Sequence, residues 1–301
     1  MIRYRVTHVT EYRYTASVPQ CQNEAHLLPR ATPRQKCEHA QLRIEPLPAV
    51  CQDREDFFGN RVTYFAIQEP HAGLSVTARS EVLIVPAAPP RLQASPAWEE
   101  VYHSVSKDTS RAGIEARQFL LDSPLVHSNA ELAAYAATSF TPDRPLLEAV
   151  ADLVQCIYQE FTYEPEATTV STPLNEVLDH RQGVCQDFAH VAIGCLRTQG
   201  IAARYVSGYL ETAVPDGQPQ LTGAAASHAW VSVYCPGQGW IDFDPTNNSI
   251  PTDQHITVAW GRDYSDVTPL KGVVVGGGGP VLDVAVTAER VPEAGFPQAP
   301  E

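Results

Sequence analysis

The segment from Arg181 to Gly200, RQGVCQDFAHVAIGCLRTQG, constrains the fold more than any other part of the chain. Its apolar residues recur at steps of three and four, which predicts one amphipathic helix that ends at Gly200. Cys185 then lies in the first helical turn, where unpaired backbone N–H groups and the positive end of the helix dipole stabilise a thiolate. The pattern indicates a cysteine nucleophile; a small buried cysteine that only packs against its neighbours is the alternative.

The composition is that of a globular, acidic protein. The chain has 301 residues, 44% of them hydrophobic and 19% charged, which is enough for one large or two ordinary domains. The formal net charge of -14 argues against nucleic acid and an anionic membrane as partners, because both attract basic surfaces. The N-terminal residues alternate like a strand and no run reaches the roughly 18 apolar residues of a membrane span, so we expect a cytoplasmic protein.

The cysteines indicate reduced thiols. There are 7 of them, an odd number, and no two form a Cys-x-x-Cys pair, which argues against a disulfide or zinc framework. The glycine run at 276–279 lacks the lysine and Ser/Thr of a phosphate-binding loop. We therefore expect neither a metal nor another cofactor.

Changes in pattern divide the chain into four parts. Alternating residues and turn signals predict an all-β N-terminal domain over residues 1–90, which a run rich in proline and alanine at 85–96 ends. A helical linker region (91–145), a catalytic core (146–270) and C-terminal strands with a tail (271–301) follow. The apolar runs at 273–275 and 281–286 are expected to pair with each other.

Within the central part, helices are predicted at 112–121, 129–139 and 146–161, with a short one at 174–178 before Cys185. Strands are predicted at 203–210, 227–234 and 240–244, the last two as a hairpin, with an exposed loop at 215–226 and a long loop after Asn248. Arg204 in the first of these strands is expected to be structural and to pair with an acid near the site.

A cysteine nucleophile needs a base that exchanges its proton and a third polar group that holds the base. His228, in the strand SHAWVSVY, is the predicted base. Its partner is Asp242 or Asp244 on the neighbouring strand. Strand alternation puts both acids on one face, so spacing does not choose between them.

Two other histidines and a non-catalytic interpretation compete with this assignment. His190 is a rival base, but five residues after Cys185 on the same helix it points to a different side. His180 is nearer in sequence and the pattern does not exclude it. If His228 is only a half-buried strand residue and DPTN at 244–247 only a turn, the chain is a catalytically silent peptide-binding module.

Five ordered segments resemble the bacterial transglutaminase-like proteins: GVCQDFAH, ARYVSGYL, SHAWVSVY, GWIDFDPTN and HITVAWGRDYSDVTP. The resemblance implies an α+β fold, in which a papain-like core packs the nucleophile helix on an antiparallel sheet and an all-β domain precedes it. It also implies a catalytic triad of Cys185, His228 and Asp244, and so favours Asp244 over Asp242.

The resemblance has limits at the nucleophile. Animal transglutaminases have Gly-Gln-Cys-Trp where this chain has Gly-Val-Cys-Gln, so their oxyanion donors and acceptor specificity are not transferred. No calcium loop of the Asp-x-Asp-x-Asp-Gly kind is present in the sequence. The expected reaction is hydrolysis of a peptide or protein amide through a thioester, with transfer to an amine as the alternative. The sequence does not specify an oligomeric state.

Overall fold

Strands make up most of the N-terminal region, as its alternation of apolar and polar residues predicts. The computed structural model describes residues 1–212, 221–223 and 226–291. The first strands are β1 (Ile2–Val18), β2 (Gln20–Ala25), β3 (Gln35–Glu45), β4 (Val50–Glu55), β5 (Arg61–Ile67) and β6 (His71–Ile84). From Leu74 onwards every second residue of β6 is buried, Val76 and Ala78 among them. These side chains share a core with Phe65 of β5, so two sheets pack face to face.

The predicted helices are present, and two further helices, Trp98–Lys107 and Tyr264–Val267, were not predicted from the sequence. The helices are α1 (Trp98–Lys107), α2 (Arg111–Arg117), α3 (Ala130–Ala137), α4 (Leu146–Glu160), α5 (Leu174–His180), α6 (Cys185–Thr198) and α7 (Tyr264–Val267), with short 3-10 turns at Leu92–Ala94 and Gln118–Leu120. Gly194 lets α6 approach α3 closely, since a Cβ at that position would lie 2.8 Å from Leu132 Cδ1. Within the described ranges, no helix is long and apolar enough to cross a membrane.

A four-stranded antiparallel sheet lies against α6. Its strands are β9 (Ala203–Leu210), β10 (His228–Cys235), β11 (Gly239–Phe243) and β12 (His255–Gly261), in the order β11-β10-β9-β12. The hairpin of β10 and β11 confirms the prediction for these residues. A short parallel pair, β7 (Thr162–Tyr163) and β8 (Gln182–Gly183), leads the chain into α6. The combination of a helical layer, this sheet and the N-terminal strands confirms the predicted α+β class.

The prediction of a long loop after Asn248 is wrong, because the strand β12 lies within this segment. The strand pairs with β9, but its register shifts between Thr257 and Ala259. This irregularity breaks the period of two that reveals a strand in a sequence, and a strand of 7 residues leaves little else to detect.

The predicted pairing of the two C-terminal runs is also wrong. The strands β13 (Leu270–Val275) and β14 (Pro280–Arg290) join different N-terminal sheets, where β13 pairs with β2 and β14 with β1. Between them Gly276, Gly277 and Gly278 have φ of 77°, 85° and 66°, a conformation that only glycine adopts without strain. The glycine run thus carries the chain from one sheet to the other.

Candidate active site

Cys185 is the first residue of α6, and the start of this helix is tightly held. The Asp187 carboxylate accepts hydrogen bonds from the Val184 backbone N–H at 2.9 Å and from Thr168 Oγ1 at 2.6 Å. A Cβ at Gly183 would come within 2.5 Å of the same carboxylate, so a glycine is required there. The Cys185 residue is 8% exposed. Its sulfur therefore sits at a rigid helix N-terminus, where the helix dipole favours an anion.

His228 and Asp244 meet because the hairpin register brings their strands together. His228 begins β10, and Asp244 directly follows β11. Nε2 of His228 lies 2.9 Å from Oδ2 of Asp244, and both side chains are fully buried. Since an ionised carboxylate only accepts hydrogen bonds, Nε2 carries the proton. The second ring nitrogen, Nδ1, is buried and has no hydrogen-bond partner among the described residues.

Cys185 is close enough to the His228 ring to help raise the pKa of this histidine. Burial by itself lowers the pKa of His228, but the Asp244 carboxylate and the Cys185 sulfur together outweigh burial and raise this pKa to about 10. The Asp244 carboxyl responds in the opposite direction: burial raises its pKa, and His228 and His255 overcome that effect and hold it well below the usual range. The buried pair is therefore an imidazolium and a carboxylate at neutral pH.

The Asp244 carboxylate has more partners than His228. Oδ1 accepts from the backbone N–H groups of Thr246 and Asn247 at 2.9 and 3.2 Å, as the turn sequence DPTN allows. Oδ2 accepts from Asn247 Nδ2 at 2.8 Å and from His255 Nε2 at 2.9 Å. These bonds fix the carboxylate on all sides and stabilise its ionised form.

The structure distinguishes the candidates that the sequence left open. Asp244, and not Asp242, is the acid that contacts His228. His190 uses Nε2 to accept a hydrogen bond from the Tyr264 backbone N–H at 3.1 Å, and burial lowers its pKa to about 4. His180 is exposed at the end of α5. Cys185, His228 and Asp244 are brought together, whereas the two rival histidines face other surroundings.

His255 and the tyrosines near Cys185 are members of the site that the sequence did not reveal. His255 is the first residue of β12, in the segment predicted as a loop, and its ring packs at 5.1 Å from that of Trp230. Burial raises the pKa of Tyr163, Tyr205 and Tyr264, and proximity to Cys185 raises each of them further. Three neutral phenols therefore lie near enough to Cys185 to sense its charge, and a neutral phenol can donate a hydrogen bond. Only the three-dimensional fold reveals this grouping.

His228, Asp244 and His255 are also the residues with the geometry closest to a metal site. One ligand atom from each lies within 4.8 Å of the other two, a grouping found once among the residues that the structure describes. Each imidazole, however, already uses its Nε2 for a hydrogen bond to Asp244, and this bond occupies the nitrogen. We assign the group to hydrogen bonding, because its nitrogens already have that function.

A short segment lies against the free nitrogen of His228. Gly223 has φ +89°, and a Cβ built on it would lie 2.8 Å from His228 Nδ1. The neighbouring Thr222 N–H donates to Asn247 Oδ1 at 2.8 Å, which ties the segment to a residue that also holds Asp244. Most of the exposed loop predicted at 215–226 lies outside the described residues.

Comparison with known proteins identifies the family. Residues 4–83 match the bacterial transglutaminase-like N-terminal region, and residues 133–245 match the transglutaminase-like superfamily, a range that contains Cys185, His228 and Asp244. An uncharacterized protein of Mycobacterium tuberculosis is 43% identical over 292 residues, which cover 94% of this chain and 91% of the relative. The chain belongs to the bacterial transglutaminase-like family.

Two further similarities refine this placement. A protein-glutamine gamma-glutamyltransferase of Pseudomonas aeruginosa is 36% identical over 107 residues, 33% of this chain and 16% of that protein. The crystal structure of a provisionally assigned cysteine protease from Cytophaga hutchinsonii is 21% identical, with a TM-score of 0.73 over 96% of this chain and 91% of the other. The family assignment and the papain-like fold class are thus confirmed, and together they support a cysteine enzyme of this superfamily.

Proposed function

We propose that this protein is a cysteine-dependent hydrolase of amide or peptide bonds in which Cys185, His228 and Asp244 act as a triad. One observation carries the proposal: the His228 ring has Asp244 hydrogen-bonded to one nitrogen at 2.9 Å and Cys185 beside the ring. In this arrangement the acid orients the imidazole and its second nitrogen can exchange a proton with a nucleophile. A binding module has no need for a buried, ionised pair next to a thiol at a helix start.

The first half of the reaction forms a thioester. The Cys185 sulfur attacks the amide carbonyl carbon, and the oxygen takes the electron pair of the C=O π bond. The Cys185 backbone N–H at the start of α6 is one donor to this oxyanion, and the neutral phenols near the sulfur offer others. When the C–N bond breaks, the His228 imidazolium gives its Nδ1 proton to the departing amine, and the acyl group stays on sulfur.

The second half returns the enzyme to its resting state. Water attacks the thioester carbonyl and gives up a proton to the neutral His228, and the C–S bond breaks to release a carboxylic acid. Asp244 keeps Nε2 protonated throughout, so that Nδ1 is always the atom that gains and loses the proton. Because the Asp244 and His228 side chains are fully buried, the imidazole ring is held in this orientation.

Transfer to an amine is the second candidate, since the same thioester can react with a lysine side chain instead of water. The similarity to the Pseudomonas protein-glutamine gamma-glutamyltransferase over 107 residues favours it. We prefer hydrolysis because it needs only water and because the sequence shows no recognisable amine site.

Incubation with a glutamine-bearing peptide and a labelled primary amine distinguishes the two reactions. For a hydrolase, mass spectrometry finds the free acid and ammonia, and little label enters the peptide. Label incorporation with little free acid overturns the preference for hydrolysis. The Cys185→Ala variant is the matched control, since both reactions need the sulfur; activity that survives in it rejects the proposal altogether.

The partner and location proposed with this function are a peptide or protein amide substrate and the cytoplasm. The net charge of -14 speaks against nucleic acid as a substrate. The cysteines are all free, which accords with a reducing compartment. Fractionation of cells that express the full chain tests the location, and recovery outside the cytoplasm contradicts it.

A further inference from the structure

A cavity lies on the sheet face that points away from α6. Its volume is about 750 Å³, and it is bounded by the core sheet, the N-terminal domain and the segment that joins them. Arg204 of β9 lines it, whereas the next residue, Tyr205, points to the other face and contacts His190 of α6. The cavity walls include Trp240, Trp260, Asp242 and Pro251.

The Arg204 side chain is held flat between two tryptophans. Its guanidinium carbon lies 4.2 Å from the ring centre of Trp240 and 3.7 Å from that of Trp260. Arg30 covers the outer face of Trp260, at 3.1 Å. This stack fixes the plane of the Arg204 guanidinium and leaves its N–H edge as the polar part.

Arg204 lacks the hydrogen bonds that other buried arginines of this protein form. Arg197, 4% exposed, donates to Phe119 O, Ser123 Oγ, Ala203 O and Arg262 O. Arg30 donates to Phe58 O and Asn60 Oδ1. Arg204 is 9% exposed, and its Nε is buried without a partner among the described residues. The pairing with an acid that was predicted for Arg204 does not form among the described residues, although the stack on two tryptophans is a structural role; a buried cation without an ion pair costs free energy.

The cavity also contains an opposite charge that Arg204 does not reach. Asp242 lines it on β11, and its charge acts on Arg204 although the two side chains form no ion pair. Burial is the largest effect on Arg204 and lowers its pKa to about 9, which still leaves it protonated at neutral pH. A cation and an anion thus lie on the same face of the core sheet, on either side of Ser232 of β10, and both line one space that aromatic side chains border.

We propose that this cavity binds a small zwitterion, a free amino acid or a short peptide, whose carboxylate pairs with Arg204 and whose ammonium group pairs with Asp242. The planar N–H fork of arginine matches a carboxylate, and the tryptophans and Pro251 suit an apolar body. A phosphate fits less well, because Asp242 repels a dianion. The proposal involves no step at Cys185 and stands or falls independently of the proposed hydrolase.

Calorimetric titration of the Cys185→Ala protein tests this without cleavage of the ligand. The probes are L-phenylalanine, L-leucyl-L-phenylalanine, 3-phenylpropionate and phenethylamine. Binding of a zwitterion at least about tenfold tighter than of either singly charged analogue is expected, since each charged contact contributes that much or more. Tighter binding of the dipeptide than of the amino acid points to a peptide source, and the reverse to a free amino acid; either order supports the site.

Variants then separate the two charges. Asp242→Asn should weaken phenylalanine binding about tenfold and leave phenylpropionate binding unchanged or stronger, and Arg204→Gln should weaken both carboxylates about tenfold. Glu115→Gln is the matched control, because this exposed acid at the cavity rim already pairs with Arg111. Thermal melts verify that each variant folds. If Arg204→Gln does not fold, the Asp242→Asn variant alone still tests the site. Equal binding by the Asp242→Asn protein, or no binding of either zwitterion, overturns the proposal.

Discussion

Nε2 of His255 donates a hydrogen bond to Oδ2 of Asp244 over 2.9 Å. The same oxygen accepts from His228, so two imidazoles share one carboxylate oxygen. Because every donor stabilises the charged form, the second bond helps to keep Asp244 ionised and fixes the direction of its other bond. The His255 side chain is 5% exposed and acts on His228 through Asp244, which makes it a positioning residue.

Removal of the His255 donor should therefore slow the reaction without weakening substrate binding. We expect His255→Leu to lower kcat about tenfold with KM nearly unchanged, the effect of one charge-assisted hydrogen bond on the barrier. His255→Gln can still donate from its amide and should recover most of the rate. The alkaline limb of the pH profile should move to lower pH in the leucine variant alone. Equal rates and profiles in both variants would show that His255 only fills space.

The Asp244 carboxylate should determine the pH range in which Cys185 is reactive. In the wild type the pKa of His228 is about 10, so the imidazolium persists until the pH passes that value. Asp244→Asn removes the carboxylate that raises the pKa of His228. Burial of the ring then lowers this pKa. We expect alkylation of Cys185 by iodoacetamide to begin at higher pH in this variant, because an uncharged imidazole no longer stabilises the thiolate; mass spectrometry between pH 5 and about 10.5 measures the rate.

The raised pKa of His228 also predicts how the free energy of unfolding depends on pH. A histidine whose folded-state pKa is raised to about 10 contributes stability that is fully present below its unfolded pKa of about 6.5 and is lost as the pH rises through 10. Urea unfolding at pH 6 and pH 10 should therefore show a larger loss for the wild type than for Asp244→Asn. An identical loss in both proteins contradicts the assigned ion pair.

The sequence predicted the position of a residue best where the neighbouring residues show a clear local pattern. Cys185 begins a helix with a clear period, and Gly200, at φ 71°, ends it where predicted. His228 and the turn after Asp244 could be placed for the same reason, although the choice of Asp244 over Asp242 came from family resemblance and not from alternation. The boundaries between the four parts of the chain stay predictions.

What the sequence did not reveal depends on contacts between distant segments. His255 lies in a strand with an irregular register, so its pattern gives no sign that it reaches Asp244. The partners of β13 and β14 are chosen by the open edges of β2 and β1, which no local pattern encodes. Arg204 likewise has no acid within ion-pair distance among the described residues, which only the assembled cavity shows.

Cys185 should react before the other buried thiols. Cys195, ten residues further along α6, is fully buried, and burial raises the pKa of its thiol well above the usual range. At pH 6 we expect limited iodoacetamide to label Cys185 at least about tenfold faster than Cys195, and faster than the exposed Cys51, whose pKa burial and Asp53 raise. Peptide mapping measures the three rates in one sample. Preferential labelling of Cys51 means that exposure alone governs reactivity, and that Cys185 is not activated.

The contact between Gly223 and His228 gives a test of the free nitrogen itself. Gly223 has φ +89°, where a side chain is strained, and an alanine Cβ would lie 2.8 Å from Nδ1, closer than normal packing allows. Gly223→Ala should displace the ring or the segment above it and lower kcat at least about tenfold, because small misplacements at a reacting centre are costly. Gly237→Ala is the matched control: its φ is +81°, but nothing lies within 4 Å of its Cβ. Both variants carry the backbone strain, so the thermal midpoints should fall by similar amounts while only Gly223→Ala loses activity. Equal activity in the two variants would mean that Nδ1 does not take part in proton transfer.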